Sequence, residues 1–326
     1  MYKKLRLTIT LVTITFILLS IILLQSISLR KYEEPSITPE STRQEETITT
    51  ISSLPGLRSC IGGTGIEVIL NCSIPKNLPS KMPLLKVIPN PIPLEKWLKV
   101  AREIFNMTGE LKLRKKMFFK GALWIRGNKS DLEILNGGYF IWNYRNPKYS
   151  SNLPSFNKAK KIADNILSKV KEYGLIPPNL EIKFKSVGYS HWTGVPGNLV
   201  PIEISVTYTI SYKGYHFGEF IVRITAGPRV IRVSCCCRFF EVEKEVPIIS
   251  AKEALSRILN YTNVKGPISK IIINDIKLAY SNKYGAQKYI EPVYAFIVKL
   301  VFPDKSTYDW CIMVPAMKET SINNNE

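Results

Sequence analysis

Ile202-Glu203-Ile204-Ser205-Val206-Thr207-Tyr208-Thr209-Ile210-Ser211-Tyr212 alternates apolar and polar side chains without a break. A period of two marks a half-buried β-strand, with one face on a core and the other toward solvent. Lys213-Gly214 follows as a turn toward a returning strand at 217–226. Gly227-Pro228 then leads into a further strand at 230–242. The same vocabulary recurs upstream at 66–70, 122–126, 132–135 and 139–144, and downstream at 271–280, 292–302 and 307–314. Turns are read at Gly127-Asn128 and at Asn136-Gly137-Gly138. Gly62, Gly63 and Gly65 lack the lysine of a phosphate-cradling loop and read as a turn between strands. Residues 73–93 carry six prolines and read as extended coil.

Three amphipathic helices punctuate the strands. Leu94, Trp97, Leu98, Ala101, Ile104 and Phe105 follow helical spacing. Phe156, Ala159, Ile162, Ala163, Ile166, Leu167 and Val170 make a second stripe, with Ser155 placed to cap its start and Gly174 to stop it. Ser250-Ala251-Lys252-Glu253 is a capping box opening a third, striped by Ala251, Ala254, Leu255, Ile258 and Leu259. All three stripes are read as core packing. One helix followed by three or four strands thus appears three times, which predicts an α+β fold: repeated units of one amphipathic helix packed on an antiparallel sheet. The units are drawn at 58–150, 151–248 and 249–318, with a disordered tail at 319–326.

Residues 7–29 hold no charge and are dominated by Leu, Ile, Val and Phe. At about 1.5 Å per residue, such a run is long enough to cross a bilayer as an N-terminal transmembrane helix. A cleavable signal is the competing reading. Its apolar region is normally shorter, and only Ser26 and Ser28 suggest a cleavage site. The anchor reading makes 1–6 a cytoplasmic tail and 30–57, rich in Glu, Ser, Thr and Pro, a flexible stalk. The bulk of the chain is then extracytoplasmic on a single-pass cell-membrane protein.

The chain has 326 residues and a net charge of +19, of which residues 1–31 contribute +5 and 32–58 contribute −3. The excess of Lys and Arg favours anionic surfaces. Compartment argues for the membrane and for an envelope protein or anionic envelope polymer, and against nucleic acid. Lys112, Arg114, Lys115 and Lys116 form the densest basic cluster.

Cys60, Cys72, Cys235, Cys236, Cys237 and Cys311 are an even set, read outside the cytoplasm as disulfide candidates. Cys60 with Cys72 is the first pairing suggested, and Cys236 could meet Cys311 across a sheet edge. Strand alternation sends Cys235 and Cys237 to one face and Cys236 to the other. The spacing does not suit a zinc knuckle or a Cys-x-x-Cys redox motif, so a thiol or metal role is secondary. Asn71, Asn106, Asn128 and Asn260 head glycosylation sequons. Tyr189, His191 and Trp192 lie in a predicted loop and form a candidate partner contact. Neither histidine has a nucleophile and acid beside it in sequence, and no carboxylate pair stands out. No catalytic, metal or cofactor residue is therefore assigned. An envelope hydrolase with an unidentified carboxylate pair remains the alternative.

The segments Ile249-Ser250-Ala251-Lys252-Glu253-Ala254-Leu255, Lys277-Leu278-Ala279-Tyr280 and Ile290-Glu291-Pro292-Val293-Tyr294-Ala295-Phe296 resemble the PepSY-like superfamily. Its units open with a capped helix and close on strands bearing a Pro-x-Tyr-x-Phe stretch. The arrangement is also similar to membrane-anchored accessory regulators of bacterial cell-wall-sensing histidine kinases. The resemblance covers 249–315 best. It implies regulation, inhibition or binding, without catalytic residues.

Overall fold

Among the residues that the computed structural model describes, namely 49–50, 66–89, 91–115, 122–195, 198–261 and 268–318, strand pairing dominates. The expected anchor at 7–29, the tails at 1–6 and 319–326, most of the stalk, Cys60, and Gly62, Gly63 and Gly65 lie outside them. Among the described residues no helix is long and apolar enough to cross a membrane.

The alternating stretch at 202–212 does form a strand. Its apolar positions Ile204, Val206 and Ile210 are wholly buried. It lies in a meander built from Lys112–Lys115 (β4), Leu123–Arg126 (β5), Ser130–Ile134 (β6), Phe140–Tyr144 (β7), Glu181–Val195 (β8), Asn198–Tyr212 (β9), Tyr215–Thr225 (β10) and Arg229–Cys235 (β11). The strand order is β8-β9-β10-β11-β7-β6-β5-β4, and the pairing is antiparallel from β9 to β4. One apolar rung crosses it from Val206 through Val222, Val233, Trp142, Leu132 and Ile125 to Leu113. A register slip of one residue would turn any of these side chains to the wrong face, so the rung fixes the alignment.

The other strands are Thr49–Thr50 (β1), Glu67–Leu70 (β2), Lys81–Val87 (β3), Phe240–Pro247 (β12), Lys270–Ser281 (β13), Tyr289–Val301 (β14) and Thr307–Pro315 (β15). β13, β14 and β15 are antiparallel neighbours, and β2 runs parallel to β13. β3 pairs with β12 along its length and meets β14 only at Leu85 and Lys86. A single parallel pair, His216 with Ala279, joins β10 to β13.

The helices are Leu94–Glu103 (α1), Phe156–Glu172 (α2) and Ala251–Ser256 (α3). α1 buries Trp97, Val100 and Ala101, with the Trp97 ring edge-on to Phe140 at 5.5 Å. α2 buries Ala159, Ala163, Leu167 and Val170. The expected caps form: Ser155 Oγ accepts from Lys158 N–H and Ser250 Oγ from Glu253 N–H. Gly174 has φ +58, the left-handed stop that glycine tolerates best.

The expectation of an α+β fold of repeated helix-on-sheet units is overturned. Strand accounts for 50% of the described residues and helix for 16%, and the strands form a large mixed sheet. The reason lies in where backbone partners come from. β2 and β3, drawn in the first unit, pair with β13 and β12; β7 pairs with β11, and β10 reaches β13. Backbone donors and acceptors are obligatory, and here they are satisfied across the drawn boundaries.

Four local expectations also change. The proline-rich coil contains β3, and Pro83 is tolerated there because β14 does not extend to it. The strand expected at 230–242 is two strands, β11 and β12, broken at 236–239. The loop expected around Ser190–Gly194 lies within β8. The third helix ends at Ser256, and buried Ile258 follows in a 3-10 turn at Ile258–Tyr261.

The break at 236–239 is where the chain leaves β10 and β7 for β3. Cys236 N–H donates to Glu219 O at 2.8 Å, Phe239 N–H to Gly137 O at 2.7 Å, and Ile88 N–H to Phe239 O at 3.0 Å. Between them Arg238 is fully buried. Its Nε donates to Asn282 Oδ1 at 3.0 Å, its Nη2 to Lys283 O and Gly285 O at 2.8 Å each, and its Nη1 to Asn136 O and Oδ1. Burial pulls this guanidinium down to about 10. Its Cζ stands 5.2 Å from the centre of the Tyr139 ring.

Replacing Arg238 with Met keeps the apolar stem and strands those carbonyls without a donor. Unsatisfied buried acceptors cost about 1–3 kcal/mol each, partly offset by removing a desolvated charge. R238M is expected to lower the unfolding free energy by about 2–4 kcal/mol in urea titration. A loss below about 1 kcal/mol would show that this network does not hold the break in place.

Candidate functional site: a cationic cleft

α2 crosses the meander with two working faces. Its small buried residues Ala159 and Ala163 let it lie close to the sheet. Lys158, Lys161, Ile162, Asn165, Ile166 and Lys169 follow i, i+3, i+4, i+7, i+8, i+11 spacing and line a cleft of about 700 Å³. Ile162 and Ile166, read from sequence as core, are only half-buried.

The rest of the lining comes from β7, β11 and three connections. Trp142 and Tyr144 belong to β7, and Val230 and Val233 to β11. Ile104, Phe105, Asn106 and Thr108 follow α1. Asn106 has φ +48, a conformation asparagine tolerates better than most residues. Phe105 stacks on Trp142 at 5.3 Å and 9°. Trp142 is buried, and its Nε1–H has no hydrogen-bond acceptor among the described residues. Lys129 comes from the β5–β6 turn and the adjoining Ser130 opens β6, while Pro228 comes from the β10–β11 turn and the adjoining Arg229 opens β11.

The β5–β6 turn is held from below. Arg145 Nη2 donates to Gly127 O at 2.5 Å and to Asn128 O at 2.7 Å. Asn128 N–H donates to Thr108 O at 3.1 Å, tying this turn to the segment after α1. On the other turn, the Arg229 guanidinium lies 5.6 Å from the Tyr144 ring centre.

Every charged residue of the lining is basic: Lys129, Lys158, Lys161, Lys169 and Arg229. All five are exposed, and no ion pair with an Asp or Glu is formed by any of them among the described residues. A concave site with one sign of charge concentrates field and attracts anions. Apolar side chains on its floor lower the local dielectric and strengthen that pull. Volume and mixed lining both fall within the range of ligand sites.

Of the candidate site residues named from sequence, the structure brings only Asn106 into this cleft, beside Ile104, Phe105, Ile162 and Ile166 of the helix stripes. Asn71, Asn106, Asn128 and Asn260 are all exposed. Tyr189 and His191 are exposed on β8, with Tyr189 packed on Phe156 at 5.1 Å and His191 6.2 Å from the Tyr149 ring. Trp192 lies on the same strand. The adjoining Ser190 Oγ donates to buried Glu203 at 2.6 Å, and Arg223 pairs with the same carboxylate at 3.3 Å. Of the basic cluster, Lys112 and Arg114 lie on β4 and outside the cleft, and Lys116 lies outside the described residues.

The cysteines follow the expected alternation. Cys235 and Cys237 are buried with their Sγ atoms 3.2 Å apart. Cys236 points the other way and donates from Sγ to Tyr139 Oη at 3.1 Å. Burial pushes the Cys236 thiol and the Tyr139 hydroxyl up. Cys72, Cys235, Cys236, Cys237 and Cys311 are free thiols among the described residues, and Cys311 is exposed on β15. No cluster of three or more His, Cys, Asp or Glu side chains suited to a metal occurs among the described residues.

No protein-family model and no curated protein matches the chain. Among solved structures, the chain is similar to an uncharacterized protein from Eubacterium rectale, at 10% identity and a TM-score of 0.38, over 78% of this chain and 88% of that one.

Thiol chemistry separates the cysteines. Alkylation needs the thiolate, and burial holds the Cys235 thiol well above its ordinary value. Brief iodoacetamide treatment of the native chain at pH 8, read by peptide mass mapping, is expected to label Cys311 and spare Cys235 and Cys237 until urea is added. Labelling of Cys235 or Cys237 at the rate of Cys311 would contradict their burial.

Proposed function

We propose that this chain is a non-catalytic binding module, tethered to the cell membrane by residues 7–29, whose cleft holds an anionic ligand on the extracytoplasmic side. The observation that carries the reading is the lining of the cleft, where five basic side chains gather without an acid. Five cations lining one concavity without an acid make it a site that attracts anions. The uncharged apolar run at 7–29 supports the tether. The partner is then an envelope protein or an anionic envelope polymer, as the basic balance of the chain suggests. A regulatory role rests on the resemblance of residues 249–315 to PepSY-like units.

A hydrolase acting through paired carboxylates finds less support at this site, because the lining has hydroxyl and amide groups but no Asp or Glu. Catalysis here would need groups from elsewhere.

The test is charge reversal in the full chain, kept in a mild non-ionic detergent. Fluorescence anisotropy with a labelled anionic polymer is expected to show the Lys158→Glu/Arg229→Glu double variant binding at least about ten-fold more weakly than the parent. A control pair on β4, Lys112→Glu/Arg114→Glu, removes the same charge outside the cleft and is expected to weaken binding far less. Equal losses from the two pairs would assign binding to bulk charge and overturn the cleft as the site.

A further inference from the structure

We infer that the cleft takes an extended, hydroxyl-bearing polyanionic chain, laid along α2, rather than a single small anion. This deepens the binding reading above and rests on it. Lys158 and Lys169 lie eleven residues apart on the cleft face of α2, with Lys161 between them. At 1.5 Å per residue that row is about 16 Å long. One phosphate or carboxylate cannot neutralise both ends. A chain carrying a charge on each unit meets them in succession. Lys129 and Arg229 enter from two further elements, which spreads the positive charge instead of focusing it on one point.

Asn106, Thr108, Ser130 and Asn165 lie among the cations. Amides and hydroxyls both donate and accept, so they match the hydroxyls of a sugar or polyol backbone between its anionic groups. Nucleic acid fits less well. Single strands bind by stacking bases on exposed aromatic faces. Here Phe105 and Trp142 are buried against each other, and Tyr144 lies beneath Arg229. The occupant is therefore an anionic glycan or polyol chain, whether its charge is phosphate or carboxylate.

Length dependence tests this. The full chain in non-ionic detergent is titrated calorimetrically with inorganic phosphate, tripolyphosphate, long-chain polyphosphate, oligogalacturonates of rising length and a single-stranded DNA octamer. Affinity is expected to climb at least about ten-fold from the shortest oligogalacturonate to one that covers the lysine row, then level off. The slope of log affinity against log salt is expected to steepen in parallel, with about three to five charges released at the plateau. In Lys169→Glu, the plateau is expected at a shorter chain. A rise with length in the oligogalacturonate series supports the inference, whereas a rise confined to polyphosphate, which has no sugar or polyol hydroxyls, would overturn the hydroxyl-bearing backbone. Inorganic phosphate binding as tightly as the longest chains would overturn it while leaving anion binding intact. Failure of every anion to bind would overturn both readings. DNA binding as tightly as the best glycan or polyphosphate would reassign the cleft to nucleic acid.

Discussion

Arg238 is a cation stripped of water and given no counter-charge among the described residues. A guanidinium has five N–H groups in a fixed plane, and leaving them unmet in the interior would cost several kcal/mol. Here Nε and both terminal nitrogens find acceptors, all uncharged: two amide oxygens from Asn136 and Asn282, and the carbonyls of Asn136, Lys283 and Gly285. These acceptors come from the β6–β7 turn and the β13–β14 loop. Moving either connection away would strand the arginine's donors, so its desolvation cost becomes a constraint on how they meet. Asn282 reinforces it by donating from Nδ2 to Cys236 O at 2.9 Å, and Asn136 by donating from Nδ2 to Gln287 O at 2.7 Å. Gly137 completes the fit. A Cβ there would stand 2.6 Å from Val87 Cγ1 and 3.0 Å from Arg238 Cβ.

The consequence reaches the cleft through β7 and β11. Both strands are anchored at their Arg238 ends, where Cys235 pairs with Phe140. At their other ends they supply Tyr144 and Val230 to the lining. α2 is then brought down on the same sheet by alanines and Val170, and further held by Tyr208 Oη donating to Asp164 Oδ1 at 2.6 Å. The helix can thus spend its remaining face on lysines. Long side chains on a helix seated this close to a sheet extend their stems over apolar surface and keep the ammonium groups in water.

Much of the strand content was legible, because alternation in residues such as 202–212 reflects burial on one face and needs no tertiary information. The caps at Ser155 and Ser250 were legible for a similar reason: capping is local. Pairing was not. Nothing in the sequence of β2 or β3 says that their partners lie in β13 and β12, since the hydrogen-bonding groups of every backbone are alike. Chain breaks between strands were equally hidden. Cys235-Cys236-Cys237-Arg238 fits the alternation of one continuous strand, and only the burial of Arg238 against two distant loops shows why it stops. The cleft escaped detection because its cations are dispersed. Lys129, Lys158 and Arg229 are not neighbours in sequence, whereas the conspicuous run beginning at Lys112 lies on a different strand. The second stripe itself gave no warning, because Ile162 and Ile166 pack against the core while also lining the cleft.

The overall basic balance does not make these five cations redundant. At physiological ionic strength the screening length is about 8 Å, roughly half of the 16 Å lysine row on α2. Two charges at opposite ends of that row scarcely sense each other through water, and a lysine elsewhere on the surface contributes still less to an anion in the cleft. Attraction there is consequently a sum of short-range contacts, each dependent on where a particular element places its side chain. Composition brings anions to the neighbourhood of this protein; the seating of α2 and the two turns decides which of them stays.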